Sequence, residues 1–259
     1  MNVLPNLCYT IAFDGPKDDT HRRLARLLVT SLLRTGWHGR IVVFRNGARP
    51  VMAQRHPAVH EEIVPANLDA PWPEVVGWKY RVRDRLNLSR IGKVLFLDCD
   101  CLVLQNINDL MFGSWDIYTA PEPGRIVEAP FNGYLTDREM AKLRNQPGLN
   151  SGNFGVRASR FVEVMAEWER IDAAEPTRLS KNRNQHSWNR LVLDTRLRHR
   201  PFAPGKIQFP FLHRATYGDY RRAAIIHAAD RSPQEKLAFL YGMWMDVFGQ
   251  DHFDEVIKF

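Results

Sequence analysis

Two aspartates, Asp98 and Asp100, directly follow the continuous apolar run KVLFL at 93–97. Such a run predicts a central parallel strand that is buried on both faces. Alternate residues of an extended chain share a face, so both carboxylates should point the same way at the carboxyl end of that strand, where open α/β sheets bind ligands. Converging carboxylates repel unless a cation lies between them, and oxygen ligands suit Mg²⁺ or Mn²⁺. The alternative interpretation of this D-x-D pattern is a solvated turn or a helix cap.

Cys99 and Cys101 alternate with the two aspartates and are expected on the opposite face. A C-x-C metal site would need two further thiolates, which the sequence does not supply. We therefore predict that both are buried structural thiols. The three cysteines of the chain are also too few for a disulfide framework.

The elements that must position these groups follow from hydrophobic periodicity and turn residues. Strands are predicted at 6–13 and 40–45, and between them a helix at 20–35 that Thr20 caps and Gly36 ends. This strand, helix, strand order predicts an α/β domain with parallel pairing. The remaining predicted elements are a strand at 60–64, a helix at 78–90, a short helix at 107–112, a strand at 114–119, helices at 137–145, 159–171 and 185–194, a strand at 223–229 and an amphipathic helix over 233–248.

The composition is that of a globular protein, with 259 residues, 44% hydrophobic and 25% charged. Apolar stretches such as VLFL fall far short of the roughly 18 residues that a membrane helix needs, and the N-terminus lacks the charged and apolar regions of a signal peptide. We therefore expect a cytoplasmic protein with no transmembrane segment. The net charge of +7 is compatible with nucleic acid, an anionic membrane or a phosphorylated small molecule. Because the cations are dispersed and no nucleic-acid-reading motif occurs, no nucleic-acid partner is expected.

Four segments of the sequence carry a resemblance to a known family. They are YTIAFD with the helix ending SLLRTG and the strand IVVF, then GKVLFLDCDCLVLQNINDLM, then LNSGNFGVRAS at 149–159, and IIHAA at 225–229. In order and rough spacing they resemble glycosyltransferases of the GT-A fold, most of all family 8, the retaining galactosyl- and glucosyltransferases that include glycogenin-like enzymes. The resemblance covers about residues 7–236.

The resemblance implies one GT-A domain over 1–259, a Rossmann-like α/β fold with a central, mostly parallel sheet. Residues 7–120 would form the nucleotide- and metal-binding half, 121–236 the donor-sugar and acceptor half, and 237–259 a C-terminal helix. The acceptor would bind near 121–149 and 201–222.

The resemblance also implies the site residues. Asp98, Asp100 and His227 would hold Mn²⁺ or Mg²⁺, with Asp98 also contacting the ribose. For His227 alone, a core histidine is the alternative. The uracil base would lie near the residues that end the first strand, and the donor sugar near the N-S-G segment. These donor-binding positions are Thr10, Ala12, Asp14, Lys79, Asp98, Asn150, Ser151 and Gly152. The choice between Lys79 and Arg83 is open, and Asp14 is alternatively a turn former.

Two departures from the family pattern concern chemistry. Asn184 and Gln185, the candidate catalytic residues, stand where the family has Asp-Gln; Asn184 can hydrogen-bond a hydroxyl but carries no charge, and Gln185 would lie near the anomeric carbon. After its histidine the family has a glycine and then a lysine that binds the diphosphate. Asp230 and Pro233 stand at those positions, which leaves Arg231 or Lys236 as the substitute cation.

The sequence thus predicts a metal-dependent glycosyltransferase that moves a hexose from a nucleotide-diphosphate sugar, a UDP-sugar, to a glycan, lipid or protein acceptor with retention. One alternative is an inverting GT-A transferase with Asp194 or Asp230 as base. Another is a catalytically weak protein that binds sugar nucleotides or carbohydrate. A sugar-phosphate nucleotidyltransferase fits less well, because AFDGPKDDT has one glycine where those enzymes need a glycine-rich loop.

Overall fold

The computed structural model describes residues 4–15, 18–67, 75–128, 131–174, 183–194, 196–212 and 220–249. Strands and helices are interspersed along these parts of the chain. The strands are β1 (Leu7–Ala12), β2 (Arg40–Arg45), β3 (Val59–Ile63), β4 (Lys93–Leu97), β5 (Cys101–Val103), β6 (Ile117–Arg125), β7 (Pro147–Arg157), β8 (His199–Pro201), β9 (Ile207–Gln208) and β10 (Ile225–His227). The helices are α1 (Thr20–Arg34), α2 (Trp78–Arg81), α3 (Asp137–Leu143), α4 (Ala158–Ala173), α5 (Arg183–Asp194) and α6 (Pro233–Phe248).

Seven of these strands form a central sheet in the order β3-β2-β1-β4-β7-β6-β8, and β5-β10-β9 form a small second sheet. Strand β2 pairs in parallel with β1 and with β3, and β6 pairs in parallel with β8. Strands β6 and β7 are antiparallel. The predicted α/β class with a mostly parallel sheet is confirmed, and the arrangement is compatible with a Rossmann-like fold.

The chain divides into two compact units, each assembled from separate segments. The first unit contains Met1–Pro5, Ala66–Phe96 and Met111–Phe202, and the second contains Asn6–Pro65, Leu97–Leu110 and Ala203–Phe259. The single-domain organisation expected from the sequence stays a prediction.

In the second unit, α1 packs its apolar stripe against β1 and β5. Leu24, Leu28 and Leu32 lie at helical spacing and are buried, as the periodicity predicts. The predicted N-cap is wrong: Thr20 is the first helical residue, and its own N–H donates to Asp18 Oδ1 at 3.0 Å. Gly36, at a φ of +79°, lies just past the end of α1, where a left-handed residue ends a helix.

In the first unit, an aromatic core lies between the sheet and helices α4 and α5. The rings of Phe154, Trp168 and Trp188 contact one another, with centroids 4.6–5.5 Å apart. Tyr80 of α2 packs edge-on against Trp168 at 5.4 Å. Large aromatic side chains of this kind contribute much of the buried apolar surface of a core.

Several predicted elements differ from those observed. Helix α2 ends at Arg81 and continues only as a 3₁₀ turn over Val82–Arg85, which is shorter than the predicted 78–90. Residues 107–112 form turns rather than a helix. Strand β6 runs on to Arg125, beyond the strand predicted at 114–119. Strands β5, β7, β8 and β9 have no counterpart among the predicted elements.

The C-terminal apolar stripe is helical over the expected residues, since α6 spans Pro233–Phe248. Ser232 and Glu235 form a reciprocal capping box at its N-terminus, with Pro233 in the first turn. Residues 250–259, the rest of the predicted C-terminal helix, lie outside the described part of the chain.

Candidate functional site

The D-x-D segment is a turn rather than an extended strand. Strand β4 stops at Leu97, and the N–H of Cys101 then donates to the carbonyl of Asp98 at 3.1 Å. The predicted extended geometry is therefore wrong, and strand alternation is not what brings the two carboxylates to the same side. The chain turns because it leaves the central sheet at Leu97 and enters the small sheet at Cys101.

Backbone pairing brings His227 to this turn. Strand β10 is antiparallel to β5, and His227 lies directly opposite Cys101. The N–H of Ala228 donates to the carbonyl of Asp100 at 3.0 Å, which continues the pairing by one step. The ring of Phe209 lies 5.3 Å from the imidazole ring of His227 and packs against it.

The side chains of Asp98, Asp100 and His227 converge. His227 Nε2 is 3.1 Å from Asp100 Oδ1 and 3.8 Å from Asp98 Oδ2. Asp100 Oδ1 is buried, and His227 Nε2 is within hydrogen-bonding distance of it, although no described group meets it in regular hydrogen-bond geometry. A buried carboxylate oxygen that faces an imidazole nitrogen and a second carboxylate is an arrangement that suits a shared cation.

Asp100, Cys101 and His227 form a possible metal-binding triad, with one potential ligand atom from each lying within 4.8 Å of the others. Sequence reasoning placed Cys101 on the face away from the aspartates, which is wrong, because its pairing opposite His227 turns it into the cluster. Burial, reinforced by the charges of Asp100 and Asp98, raises the pKa of the Cys101 thiol well above its ordinary value.

Lys236 of α6 reaches the same cluster. Its Nζ lies 2.6 Å from Asp100 Oδ2. Burial alone would raise the pKa of Asp100, but the Lys236 ammonium and the His227 ring hold that pKa well below its usual range. Conversely, burial acts to lower the pKa of Lys236, and the Asp100 carboxylate outweighs burial and raises it. The two groups therefore form a partly buried ion pair.

Two residues between His227 and Lys236, Asp230 and Arg231, stand at or near positions where the sequence departs from the family pattern. Asp230 has a φ of +64°, in the left-handed region that favours glycine. The guanidinium of Arg231 lies over the ring of Phe211 at 5.0 Å. Of the two candidate cations in this segment, Lys236 is thus the one in contact with Asp100.

The first-strand residues expected near a base have different surroundings. Thr10 and Ala12 of β1 are buried, and Thr10 Oγ1 has no hydrogen-bond partner among the described residues. Asp14 accepts a hydrogen bond from the backbone N–H of Arg22 in the first turn of α1, at 3.0 Å. Burial raises the pKa of Asp14, against the opposing effect of that hydrogen bond. Its side chain thus binds the first turn of α1, and its role toward a base stays a prediction.

A second polar cluster lies in the first unit, around the N-S-G segment. Strand β7 pairs with β6 at Phe154 and again at Asn150, opposite the consecutive residues Thr119 and Ala120. Three residues of β7, Ser151 to Asn153, are therefore extra and form a bulge. Asn150 Oδ1 stabilises this bulge by accepting from the N–H of Gly152 at 2.8 Å. Bulges of this kind re-aim side chains and are common beside active sites.

Helix α5 places Asn184 and Gln185 against this bulge. Gln185 Oε1 accepts from the N–H of Ser151 at 3.0 Å, and Asn184 Nδ2 donates to Ser151 Oγ at 3.2 Å. The structure thus brings together Asn150, Ser151, Asn184 and Gln185, all predicted site residues. Hydrogen bonding to Ser151 uses the carbonyl oxygen of Gln185, the residue expected near the anomeric carbon.

Lys79 and Arg83 have distinct partners. Lys79 is buried, and its Nζ lies 3.4 Å from the carbonyl oxygen of Ser151 and 5.3 Å from the ring centroid of Phe96. Arg83 pairs with Glu169 at 2.6 Å. Lys79 is therefore the cation that lies beside the N-S-G segment.

Glu122 is a member of this cluster that sequence reasoning missed. Its Oε2 accepts from Asn150 Nδ2 and from Gln185 Nε2, each at 2.7 Å. The signal was the sequence Pro-Glu-Pro directly after an apolar run, because prolines interrupt a strand ladder and mark irregular positions.

None of the helices in the described ranges is both long enough and apolar enough to cross a bilayer. Comparison of the chain with protein-family models gives no match, and comparison with curated proteins gives none either.

Proposed function

We propose that this protein is a metal-dependent glycosyltransferase of the GT-A type that moves a hexose from a UDP-sugar to a hydroxyl group of a glycan, lipid or protein. The observation that carries the proposal is the convergence of Asp98, Asp100 and His227, which lie up to 129 positions apart in the chain. Two carboxylates, one of which has a buried oxygen, and an imidazole make a hard, mixed ligand set.

Asp98, Asp100 and His227 would hold Mn²⁺, or Mg²⁺ in its place. When bound, the cation would neutralise charge that builds on the departing diphosphate. Cys101 would add a single soft sulfur to this set, in which carboxylate oxygens and an imidazole nitrogen predominate. We therefore expect a hard cation here rather than Zn²⁺, which thiolates favour.

Besides the metal cation, one lysine ammonium group in each unit would supply positive charge for the donor. Lys236, beside Asp100, is the cation in the segment where the resembling family has its diphosphate lysine. Lys79, beside Ser151, lies where that family has a cation for the sugar nucleotide. An ammonium placed near a leaving phosphate stabilises the charge that develops on it.

The backbone after His227 also supports the proposal. The resembling family has a glycine at the position of Asp230, and Asp230 has the positive φ for which glycine is suited. Aspartate is among the few other residues that tolerate this conformation. The segment thus keeps a glycine-type turn without a glycine.

The side chains of Asn150, Ser151, Asn184 and Gln185 would bind the donor sugar. Buried amides and hydroxyls in fixed orientations are suited to the hydroxyl groups of a hexose. The bond between the anomeric carbon and the diphosphate oxygen breaks, and its electron pair leaves with the UDP. The acceptor hydroxyl bonds to the anomeric carbon on the same face, and its proton passes to the departing phosphate oxygen. Retention then needs no enzymic base.

The experiment that tests this function is a thermal-shift screen of UDP, GDP and ADP, each with and without Mn²⁺. We expect a shift that is selective for UDP, depends on Mn²⁺ and is lost in Asp100→Asn. Asp109→Asn is the matched control, because Asp109 is exposed and lies outside the cluster. Equal shifts in the wild type and in Asp100→Asn would contradict the metal assignment.

Incubation with UDP-sugars and a panel of acceptors separates the alternatives. Release of UDP with an acceptor supports a transferase, whereas tight binding without turnover on any acceptor supports a binding protein. The anomeric configuration of the first-formed product, measured by NMR, tests retention, and an inverted product would contradict it.

A further inference from the structure

Glu122 is a buried carboxylate between two irregular points of a strand. The pairing of β6 with β7 shifts register between Thr119 and Ala120 and again between Glu122 and Arg125, and prolines flank Glu122 on both sides. Glu122 is only 9% exposed. A carboxylate is costly to bury unless hydrogen bonds or charges compensate it, so the residues around Glu122 must meet that cost.

Two amide groups bind the same oxygen of Glu122. Asn150 Nδ2 and Gln185 Nε2 each lie 2.7 Å from Oε2. The orientation of both amides is fixed independently, because Asn150 Oδ1 accepts from the N–H of Gly152 and Gln185 Oε1 accepts from the N–H of Ser151. Backbone N–H groups require an oxygen, so the amide NH₂ groups must face the carboxylate. Charge-assisted hydrogen bonds of this kind hold an ionised carboxylate in one position.

The same network connects Glu122 to Asn184. Gln185 Oε1 accepts hydrogen bonds from both the backbone N–H and the hydroxyl of Ser151. Asn184 Nδ2 donates to the same hydroxyl at 3.2 Å. Asn184 is neutral and stands where the resembling family has an aspartate. Within the hydrogen-bonded set of Glu122, Asn150, Ser151, Asn184 and Gln185, the negative charge is therefore on Glu122.

We propose that Glu122 is the acidic group of the donor-sugar site and carries the negative charge that Asn184 lacks. This inference rests on the proposed transferase function. A sugar that loses its diphosphate becomes oxocarbenium-like, and a fixed carboxylate stabilises that positive charge. Glu122 acts through its charge and forms no covalent bond to the sugar. In the ground state it accepts hydrogen bonds from sugar hydroxyls.

The test measures UDP release from UDP-glucose, UDP-galactose, UDP-N-acetylglucosamine and UDP-glucuronate with Mn²⁺, together with the affinity for UDP alone. We expect Glu122→Gln to lower kcat by about 100-fold, the usual scale for losing one preorganised electrostatic contact, with KM changed far less. The affinity for UDP, which has no sugar, should stay unchanged. Glu163→Gln is the matched control, because Glu163 is an exposed carboxylate on α4 of the same unit and lies outside both the hydrogen-bonded set and residues 121–149.

Rescue separates charge from structure. The double variant Glu122→Gln with Asn184→Asp restores a carboxylate to the same network. Its kcat should be at least tenfold higher than that of Glu122→Gln alone. Glu122→Asp keeps the charge and should exceed Glu122→Gln in kcat. Thermal melting of each variant shows that it is folded.

The inference is overturned if Glu122→Gln has the wild-type kcat, or if the double variant is folded but recovers no activity. It is also overturned if the wild-type protein binds UDP with Mn²⁺ but binds none of the four UDP-sugars more tightly than UDP and releases UDP from none of them. Each of these results leaves the nucleotide site intact. Failure of UDP itself to bind with Mn²⁺ would overturn the proposed function as well, so the two failures are distinguishable.

Discussion

The ammonium of Lys236 lies 2.6 Å from Oδ2 of Asp100, while Oδ1 of the same carboxylate faces His227 at 3.1 Å. One oxygen of Asp100 is thus neutralised from within the protein, and no described group meets the other in regular hydrogen-bond geometry. A lysine in this position competes with a divalent cation for Asp100 and is also a candidate partner for a diphosphate.

Replacing Lys236 by methionine should therefore change two affinities in opposite directions. Mn²⁺ alone should bind more tightly, because Asp100 loses a competing cation. UDP with Mn²⁺ should bind about tenfold more weakly, as expected for losing one charge-assisted contact. Isothermal titration calorimetry measures both. A variant in which both affinities fall together would contradict a competitive role for Lys236.

His227→Gln should abolish Mn²⁺ binding while leaving the fold intact. Loss of groups that merely support a metal ligand costs 10- to 100-fold in affinity, so loss of a ligand itself should cost about 100-fold or more. The electron paramagnetic resonance signal of free Mn²⁺ reports the bound fraction. His38→Gln is the control, since His38 is exposed. Unchanged Mn²⁺ binding in His227→Gln would make His227 a core histidine.

Lys79 and Arg83 should differ when each is replaced by methionine. Lys79→Met removes the ammonium beside Ser151 and should weaken binding of UDP-sugars by about tenfold. Arg83→Met breaks a partly exposed ion pair with Glu169, which is worth no more than about 1 kcal/mol of stability, and should bind UDP-sugars as the wild type does. Equal losses in both variants would contradict the assignment of Lys79.

Substitutions at Asp230 should follow backbone strain rather than charge. Asp230→Ala and Asp230→Gly both remove the carboxylate, but only alanine is strained at a φ of +64°. We expect the free energy of unfolding of the alanine variant to be about 1 kcal/mol lower than that of the glycine variant. Urea denaturation compares the two. Equal stabilities would show that the positive φ imposes no strain.

Asp172 should matter for stability rather than for binding. It is buried and accepts hydrogen bonds from the hydroxyls of Tyr80 and Ser187, each at 2.8 Å, and so links α2, α4 and α5. Asp172→Asn should lower the free energy of unfolding by about 1–3 kcal/mol. The exposed Asp84→Asn is the control. A wild-type melting curve for Asp172→Asn would show that these bonds add nothing net.

Much of the fold was predictable because it depends on local patterns. The apolar runs of β2 and β4 have the predicted bounds, and α1, α4 and α6 follow the 3.6-residue spacing of buried side chains. Strand β7 was missed because its residues Ser151 to Asn153 bulge out of the ladder, and a bulge breaks the period of two. Helix α2 was predicted too long because basic residues continue past Arg81 after the helical backbone ends.

The candidate site shows the same division. Their position directly after an apolar run was enough to single out Asp98 and Asp100, whereas His227, Asn184 and Gln185 were named only through the resemblance to the family. The sequence by itself also determined the α/β class, because strand and helix periods are local properties. Only the tertiary structure decided that Cys101 and Lys236 join the aspartates and that Glu122 joins the amides. The physical reason is that strand pairing, a bulge and the docking of α6 bring together residues whose separation in sequence has no period.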